Sequence, residues 1–486
     1  MTRAPAHVSA FKSLAAFLRQ AALSADRFDD ALVLATLYGR LQWDNISGQF
    51  SDDPLEVALF DRWQHEFTAK LTPAKETDTI CHVLSELYTH GGHSRLFRML
   101  VGGLSDSGLT QHAIITERAK EEALALVPQN CPIRVLSGSA SERAKAVYAS
   151  AMTAQAMLLQ THPYEIGAAL AARAVRRDGG RVLFLNHADH VFSFGPGTSE
   201  TVLEICGTGW RTTHERRAAE NQHFMGLPIA RSDTAPIPLR VDRDGTILSI
   251  GSSAKYQPSD TLNFPEFLST LLDRVPNRAV IIGPDPVKDP WWQPLIERHA
   301  DRIEMPGIQP FDRIAAEFSR AACYIDSFPM DGGTIFSEAL LNGVPIFGPN
   351  RDCNLGISPA DKLRCVGTDQ LLDDVTAYLG GGDLPAQQAD VQEQICTEFT
   401  ETDSVRRVLK ALKGEAVPLP PVLVELSNRG PDYNAENWMS NGRLTVPKRL
   451  WKRLSVRAKL RVWRGLGAVD IDKDTRQNLR RRLIAG

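Results

Sequence analysis

The sequence predicts an α/β protein in which two doubly wound domains face each other across a cleft, with an α-helical segment at the N-terminus and a basic helical tail at the C-terminus. Short apolar strands alternate with amphipathic helices in two successive series, over residues 80–185 and 246–347. Such alternation is typical of parallel sheets covered by helices on both faces. The length of 486 residues exceeds one ordinary core and indicates two or three domains.

The pattern divides the chain into five segments. Residues 1–75 are predicted to be helical, because apolar residues recur there at the spacing of an amphipathic helix. Residues 76–235 form the first α/β domain, expected to shape the acceptor side, and residues 236–415 form the second, expected to hold the donor. Residues 416–440 are a proline-containing linker, and residues 441–486 form a basic amphipathic tail.

Each series supplies five predicted strands. Those of the first domain are Ile80–Leu87, Ala113–Thr116, Ile133–Leu136, Ala156–Gln160 and Arg181–Leu185. Those of the second domain are Thr246–Ile250, Ala279–Gly283, Arg302–Met305, Cys323–Asp326 and Val344–Phe347. In open α/β sheets ligands bind beyond the carboxyl ends of the strands, so the residues that follow each strand are the candidates for function.

The composition is that of a globular protein with reduced thiols. Hydrophobic residues make up 43% of the chain and charged residues 23%. The seven cysteines are scattered without C-x-x-C spacing, which favours a cytoplasmic location and argues against a structural zinc site. No apolar run approaches about 18 residues, and no basic region precedes one at the N-terminus, so neither a membrane span nor a signal peptide is expected.

The run Asp-Ser-Phe-Pro-Met-Asp-Gly-Gly-Thr at residues 326–334 is the most informative part of the chain. It reads as the end of a buried strand, a glycine turn and the start of a helix. Asp331, Gly332, Gly333 and Thr334 lie where the helix begins, and its first N–H groups are unpaired and carry its positive dipole end. Such a turn is typical of a phosphate site. Glu338, one turn into the helix, is a candidate for binding ribose hydroxyls.

Together with Glu338-Ala-Leu and Gly343-Val-Pro, this run resembles the donor loop of GT-B glycosyltransferases, above all that of protein O-GlcNAc transferases. The resemblance covers roughly residues 80–415 and implies two Rossmann-like domains, a nucleotide-sugar donor and no metal or other cofactor. Retaining GT-B enzymes often carry two Glu separated by seven residues, and the position of the first, counted back from Glu338, is Met330 in this chain. The repeat array of O-GlcNAc transferases is also absent, so the sugar, the acceptor and the stereochemistry stay open.

Two further loops of the second domain are candidates for donor binding. Ser252, Ser253 and Lys255 follow the strand Thr246–Ile250, where two hydroxyls and an ammonium suit a diphosphate. GT-B enzymes commonly place a basic residue at this loop. Ile308 lies in the loop where many GT-B proteins contact the nucleotide base through backbone groups.

The first acceptor-side candidate is the loop His90-Gly91-Gly92-His93, which follows the strand Ile80–Leu87. It resembles the Gly-Gly loop after the first strand of many GT-B enzymes, where donor phosphates or acceptor approach the backbone. Histidines beside glycines at a helix start are seldom core residues, because a buried imidazole needs a partner. His93 is accordingly a candidate catalytic residue.

A second cluster ends the strand Arg181–Leu185. His187, Asp189 and His190 are interpreted as a proton-transfer set for an acceptor hydroxyl, since His titrates near neutral pH and a carboxylate can orient it. A structural hydrogen-bond network is the second interpretation and a metal site the third. His162 is expected to line the same cleft, and Arg217 to clamp a phosphate or an acidic acceptor.

The tail is strongly basic. Residues 441–486 hold 14 Lys and Arg against three Asp, which leaves a net charge of −14 on residues 1–440. On a helical wheel one sector contains the apolar residues Trp451, Leu454, Val462 and Leu466. A second, cationic sector contains Arg453, Arg457, Arg461 and Arg464. This separation suits an interfacial helix on an anionic membrane, and docking on the acidic body is the alternative. No fold typical of nucleic-acid binding accompanies the charges.

The sequence therefore predicts a cytoplasmic glycosyltransferase, peripheral on a membrane through its tail. It would transfer a hexosyl or N-acetylhexosaminyl group from a UDP-sugar to a glycan, lipid-linked or protein acceptor. A nucleotide-sugar 2-epimerase of the same fold is one alternative, and a non-catalytic scaffold is another. A dinucleotide oxidoreductase is the weakest, because no G-x-G-x-x-G follows a predicted strand.

Overall fold

In the computed structural model the described residues are 5–45, 47–68, 78–89, 91–229, 236–242, 244–259, 261–350, 356–384, 386–428, 444 and 447–484. Three helices open the chain: α1 Pro5–Leu23, α2 Phe28–Trp43 and α3 Asp53–Trp63. Their apolar faces share one core with the helices of the first α/β domain, and the predicted helical character of this segment agrees with α1, α2 and α3. No helix of the described residues is long and apolar enough to cross a membrane.

The first α/β domain is larger than its five predicted strands. Its elements are β1 Thr79–Leu87, α4 Gly92–Asp106, β2 Thr110–Ala119, α5 Glu121–Leu124, β3 Ile133–Val135, α6 Ala140–Ala151, β4 Ala156–Gln160, α7 Ile166–Arg177, β5 Arg181–Asn186, β6 Thr201–Glu204, α8 Gly207–Arg216 and β7 Gln222–Phe224. They form a seven-stranded parallel sheet of order β3-β2-β1-β4-β5-β6-β7. The unpredicted strands β6 and β7 have only four and three residues, too few for a periodic signal.

The second domain contains all five predicted strands. Its elements are β8 Thr246–Ile250, α9 Phe264–Arg274, β9 Ala279–Ile282, α10 Gln293–His299, β10 Ile303–Gly307, α11 Phe311–Phe318, β11 Ala321–Ile325, α12 Thr334–Leu341, β12 Ile346–Phe347, α13 Thr368–Leu379, α14 Gln388–Glu398, α15 Glu401–Leu412 and α16 Pro421–Ser427. The parallel sheet has the order β10-β9-β8-β11-β12. Two doubly wound sheets confirm the predicted fold class.

The end of the second series differs from the prediction. Thr400 lies between α14 and α15 and caps α15. Its hydroxyl accepts from the Asp403 N–H, while the Asp403 carboxylate accepts from the Thr400 N–H. Helix α15 then packs on α4 of the first domain, and α16 packs on α8. The chain thus returns to the first domain before residue 415, the predicted end of the second domain.

The tail forms three helices, α17 Lys448–Lys452, α18 Val456–Gly465 and α19 Lys473–Ile484. The predicted apolar sector of Trp451, Leu454, Val462 and Leu466 is at most 4% exposed and joins the core of the N-terminal helices. Docking on the body, the alternative interpretation, is therefore what the structure shows for this sector. The prediction of membrane binding depended on this apolar face, but other helices of the protein cover it.

Candidate active site between the two domains

A cavity of about 710 Å³ lies between the carboxyl ends of the two sheets and is lined by both domains. In the first sheet the strand order reverses between β1 and β4, and in the second between β8 and β11. Ligands of doubly wound sheets bind at such reversals. The loops after these strands, which carry most of the candidate residues, meet at this cavity for that reason.

The donor loop rests on a buried network of charges. The carboxylate of Asp326 accepts from the Gly332 N–H at 2.9 Å through Oδ1 and from Nη2 of Arg364 at 2.9 Å through Oδ2. Nε of Arg364 donates to Asp361 Oδ1 at 2.6 Å, and the Arg364 side chain is only 1% exposed. These bonds set the position of the glycine turn. Arg364 and Asp361 lie some 35 residues beyond the motif, and sequence reasoning missed both.

Two glycines at this turn are required by its geometry. A Cβ on Gly332 would lie 2.5 Å from Asp326 Oδ1, and Gly333 adopts a φ of 70° with open space beside it. Gly333 is the N-cap of α12, and no side chain of the described residues caps the helix there. The first N–H groups of α12, with Thr334 and Ile335 at the cavity wall, are thus available to an anion.

Lys255 lines the same wall and donates from Nζ to the carbonyl of Asp331, next to the glycine turn. Its ammonium therefore lies beside the N-terminus of α12, and its predicted role in binding a diphosphate stays a prediction. The other donor candidates lie further out. Ser252 is exposed and Ser253 half-buried, and neither lines the cavity. Ile308 is 82% exposed at the end of β10, outside the cavity wall.

Glu338 does not point at an open ribose pocket. Its Oε1 accepts from Nη1 of Arg95 at 2.7 Å, which joins α12 of the second domain to α4 of the first. The Glu338 side chain is 11% exposed and that of Arg95 44%. Arg95 lies in the first turn of α4, and sequence reasoning gave it no role although it directly follows the histidine–glycine loop.

The N-terminus of α4 faces the cavity from the first domain. Gly91 is its N-cap with a φ of 106°, and Gly92, His93 and Arg95 line the wall. Two helix N-termini, those of α4 and α12, thus open onto one space from opposite domains. His90, the other candidate of this loop, lies outside the described residues.

His93 and His187 form a stacked pair with ring centroids 4.3 Å apart. His93 Nε2 is 2.8 Å from the carbonyl oxygen of Gln160, and His187 Nδ1 is 3.3 Å from that of Leu185. Because a carbonyl can only accept, each of these nitrogens carries the hydrogen, and the second nitrogen of each ring keeps its lone pair. The stack therefore presents acceptor nitrogens able to take a proton.

Both imidazoles are neutral at pH 7. Burial in the cleft, with the nearby His162, lowers the pKa of His93 to about 4. Burial and the neighbouring His93 lower the pKa of His187 well below its ordinary value. An anion entering the cavity would favour the protonated form and raise both pKa values.

Asp189 lines the cavity below this pair but does not bond to His187. Its Oδ2 accepts from the Cys206 thiol at 2.9 Å, and its Oδ1 is 3.5 Å from His190 Nδ1. Burial opposes ionisation, yet His190 and Cys206 outweigh it and lower the pKa of Asp189. Within the predicted set Asp189 therefore contacts His190 rather than His187, and Cys206 is an unforeseen member of the wall.

Arg217 does not reach the cavity, so the predicted phosphate clamp is wrong. The residue is 7% exposed, and its guanidinium donates to the carbonyls of Asp189 and Val191 and to the hydroxyl of Thr213. Arg217 directly follows α8, a helix that the sequence pattern did not reveal, and this places it behind the loop 187–191. Its role is to hold that loop.

His162 lies beside the cavity rather than on its wall. Its ring is stacked on Tyr164, with centroids 5.3 Å apart, and its centroid is 6.4 Å from that of His93. His162 Nε2 is 3.5 Å from Glu86 Oε2, and Glu86 Oε1 accepts from Nη1 of Arg449 in the tail at 3.2 Å. Burial opposes ionisation of Glu86, but His162 and Arg449 outweigh it and lower the pKa to about 2.

This arrangement suits transfer chemistry. One face offers an ammonium and helix amides to a diphosphate, and the opposite face offers neutral bases to a hydroxyl. Across the described part of the chain, no three His, Cys, Asp or Glu side chains come together as metal ligands.

Comparison with solved structures identifies the architecture. A Thermobaculum terrenum O-GlcNAc transferase variant aligns with a TM-score of 0.51 and 13% identity over 82% of this chain and 79% of its own. A variant of Staphylococcus aureus TarM, in complex with fondaparinux, α-GlcNAc-glycerol and UDP, gives 0.53 and 9% over 69% and 99%. Anabaena HepE in complex with UDP-glucose gives 0.51 and 13% over 69% and 99%.

These likenesses show that the chain has the GT-B fold, which confirms the resemblance read from residues 326–348 at the level of architecture. No family model matches the sequence, and no curated protein matches it.

Proposed function

We propose that the protein is a glycosyltransferase that takes a UDP-sugar as donor. The observation that carries the proposal is that one cavity has Lys255 and the N-terminus of α12, which no described side chain caps, on one wall and the His93–His187 stack on the other. The bound UDP of the TarM variant and the UDP-glucose of HepE support uridine as the nucleotide.

The donor diphosphate would bind at the second-domain wall. Its charge would be met by the Lys255 ammonium and by the N–H groups that begin at Gly333 and Thr334. As the sugar–phosphate bond breaks, negative charge grows on the leaving UDP, and the same groups stabilise it. The Asp326–Arg364 network keeps these donors in place before the substrate arrives.

The ribose would compete with Arg95 for Glu338. In the structure that carboxylate is paired across the cleft, so donor binding would release Arg95 toward the diphosphate while Glu338 accepts from a ribose hydroxyl. Both residues then keep an oppositely charged or hydrogen-bonding partner. This exchange reconciles the predicted role of Glu338 with its observed contact.

The acceptor hydroxyl would lose its proton to the histidine stack. A pKa of about 4 makes His93 a weak base in the empty cavity, but a bound diphosphate raises it toward the working pH. Base catalysis is thereby coupled to donor binding. A hexosyl or N-acetylhexosaminyl group moves to a glycan, lipid-linked or protein acceptor in this proposal, and no resident cofactor takes part.

Release of UDP from a panel of UDP-hexoses and UDP-N-acetylhexosamines tests the proposal. One donor is expected to release UDP faster when glycan, lipid-linked or peptide acceptors are added, and Lys255→Met is expected to slow this by about 100-fold. Lys413→Met, at an exposed residue away from the cavity, is the matched control. Release of UDP with an altered free sugar and no acceptor product would instead identify an epimerase and contradict the proposal.

A further inference from the structure

The helix α18 carries an apolar stripe on its outer face. Val456 is 75% exposed, Leu460 52% and Trp463 39%. Spaced by four and then three residues, at about 100° per residue, they lie on one side of the helix. Large apolar side chains aligned in this way on a solvent-facing helix mark an interaction surface more often than isolated ones do.

This stripe is distinct from the face that docks α18 on the body. Val462 is 1% exposed and Leu466 is fully buried, and both lie in the core of the N-terminal helices. Gly465 approaches Phe17 so closely that a Cβ would lie 2.5 Å from its ring. The inner face thus supplies the core contacts that dock α18, and the three stripe residues do not belong to that core.

Cations border the stripe on both sides. By helical position Lys459 lies along one edge, and Arg457 and Arg464 lie along the other. The Arg457 side chain is 84% exposed, and its nearest carboxylate, that of Asp26, is 3.7 Å away. The guanidinium of Arg480 lies 4.5 Å from the centre of the Trp463 ring, so even the aromatic end of the stripe is cationic.

The charge around the stripe indicates which kind of partner the stripe binds. The described tail residues 447–484 contain 13 Lys and Arg against three Asp, so the tail of a second copy would be repelled. An anionic bilayer offers both phosphates for the cations and an apolar boundary for the stripe. Trp in particular favours the interface between headgroups and acyl chains.

We propose that α18 lies on an anionic lipid bilayer, with Val456, Leu460 and Trp463 at the headgroup boundary and Arg457, Lys459 and Arg464 on lipid phosphates. The contact is shallow, because three side chains bury little apolar area, and it depends on charge for most of its strength. The tail thus uses one face of α18 to fold and the other to bind.

Sedimentation of the full-length protein with lipid vesicles tests this surface. Wild-type protein is expected to bind vesicles of phosphatidylcholine and phosphatidylglycerol in equal parts, and to bind phosphatidylcholine alone at least about tenfold more weakly. The triple variant Val456→Gln, Leu460→Gln and Trp463→Gln is expected to lose about tenfold in partitioning, with an unchanged melting temperature. Glutamine keeps the helix propensity, and none of the three side chains belongs to the core of the N-terminal helices.

The control is the double variant Val287→Gln and Val366→Gln, at residues 90% and 83% exposed on the second domain, which is expected to bind vesicles like wild type. Equal vesicle binding by the triple variant and wild type would overturn the proposal. So would binding of single-stranded RNA without binding of anionic vesicles, or a dimer that the triple variant dissociates in the absence of vesicle binding.

Discussion

The second-domain wall of the cavity is built from backbone amides and charges held by buried partners, whereas the first-domain wall presents two neutral imidazoles held by carbonyls. On the second domain Arg364 and Asp326 hold the turn at Gly332. On the first, Gln160 and Leu185 orient His93 and His187. The two walls therefore have different electrostatic tasks, and each should fail in its own way when altered.

The second-domain wall, which is expected to hold the donor, is preorganised to stabilise an anion. Damage to it should therefore reduce both the stability of the protein and its affinity for the donor. The histidine pair of the first-domain wall is kept neutral until an anion arrives, so loss of one of these histidines should reduce turnover and leave donor affinity unchanged. The predictions below test the two walls and the ion pair between them.

The largest effect is expected from Arg364→Met, which removes the cation between two buried carboxylates. Asp326 and Asp361 would then lose the buried cation that they share, which costs about 3–5 kcal/mol of unfolding free energy. Denaturant unfolding measures this, with Arg457→Met at an 84% exposed arginine as the control, expected within about 0.5 kcal/mol of wild type. A loss of unfolding free energy no larger than that of the control would contradict the role assigned to Arg364 in holding the donor loop.

His93→Asn should reduce turnover by about 100-fold or more through loss of the acceptor-side base, while UDP affinity stays as in wild type. Steady-state UDP release and UDP titration on the same preparation measure the two quantities. Because His93 lies on the neutral wall, a parallel fall in UDP affinity would show that the two walls are not separable.

Acid should destabilise the folded protein through two buried histidines of the first domain. The pKa values of His82 and His93 are lowered to about 4 by burial, while an unfolded histidine titrates near its ordinary value of about 6.5. Between these values the unfolded chain binds more protons, so stability falls as pH drops through that window, by about 1.4 kcal/mol per pH unit for each histidine. Denaturant unfolding from pH 7 to 4 should show a smaller slope in His93→Asn, and an identical slope would contradict the assignment.

The ion pair between the walls is the next test. Arg95→Met should change the unfolding free energy by less than about 1 kcal/mol, since Arg95 is 44% exposed. It should nevertheless weaken UDP binding by about tenfold, because Arg95 is expected to turn to the diphosphate. Unchanged UDP affinity would mean that Arg95 serves only to pair with Glu338.

The smallest effect is expected from Arg449→Met in the tail. Glu86 would keep His162 but lose one cation, and the ring beside His93 would be held less firmly. Turnover should fall about two- to fivefold with no change in UDP affinity, in line with a partly exposed ion pair. The neighbouring exposed Lys452→Met is the control, and an equal effect of both would assign the loss to the tail as a whole.

The contrast between the walls also explains what the sequence could predict. The turn at Gly332 and Gly333 is local, since backbone conformation and the helix start lie within a few consecutive residues. Lys255 was found because it follows a strand of clear apolar pattern. The role of Arg364 could not be predicted from the sequence, because its partner Asp326 lies 38 residues away and no local pattern indicates such a pair.

The geometry of the first-domain wall was harder to predict from the sequence. The candidates His93 and His187 line the cavity, but their stacking depends on the order of β1, β4 and β5 in the sheet. Arg217 was misplaced because α8 is short and rich in threonine, glycine and charged residues, without an apolar period. In the tail the helical wheel identified a real apolar sector, but burial against distant helices assigned it to folding.

Calorimetric titration of UDP into wild-type protein and Lys255→Met tests the donor site most directly. Wild-type protein is expected to bind UDP with a micromolar Kd, and the variant at least about tenfold more weakly, because the ammonium beside the α12 N-terminus is lost. No heat with wild-type protein, or equal affinity in the two proteins, would contradict a nucleotide-sugar site between the domains.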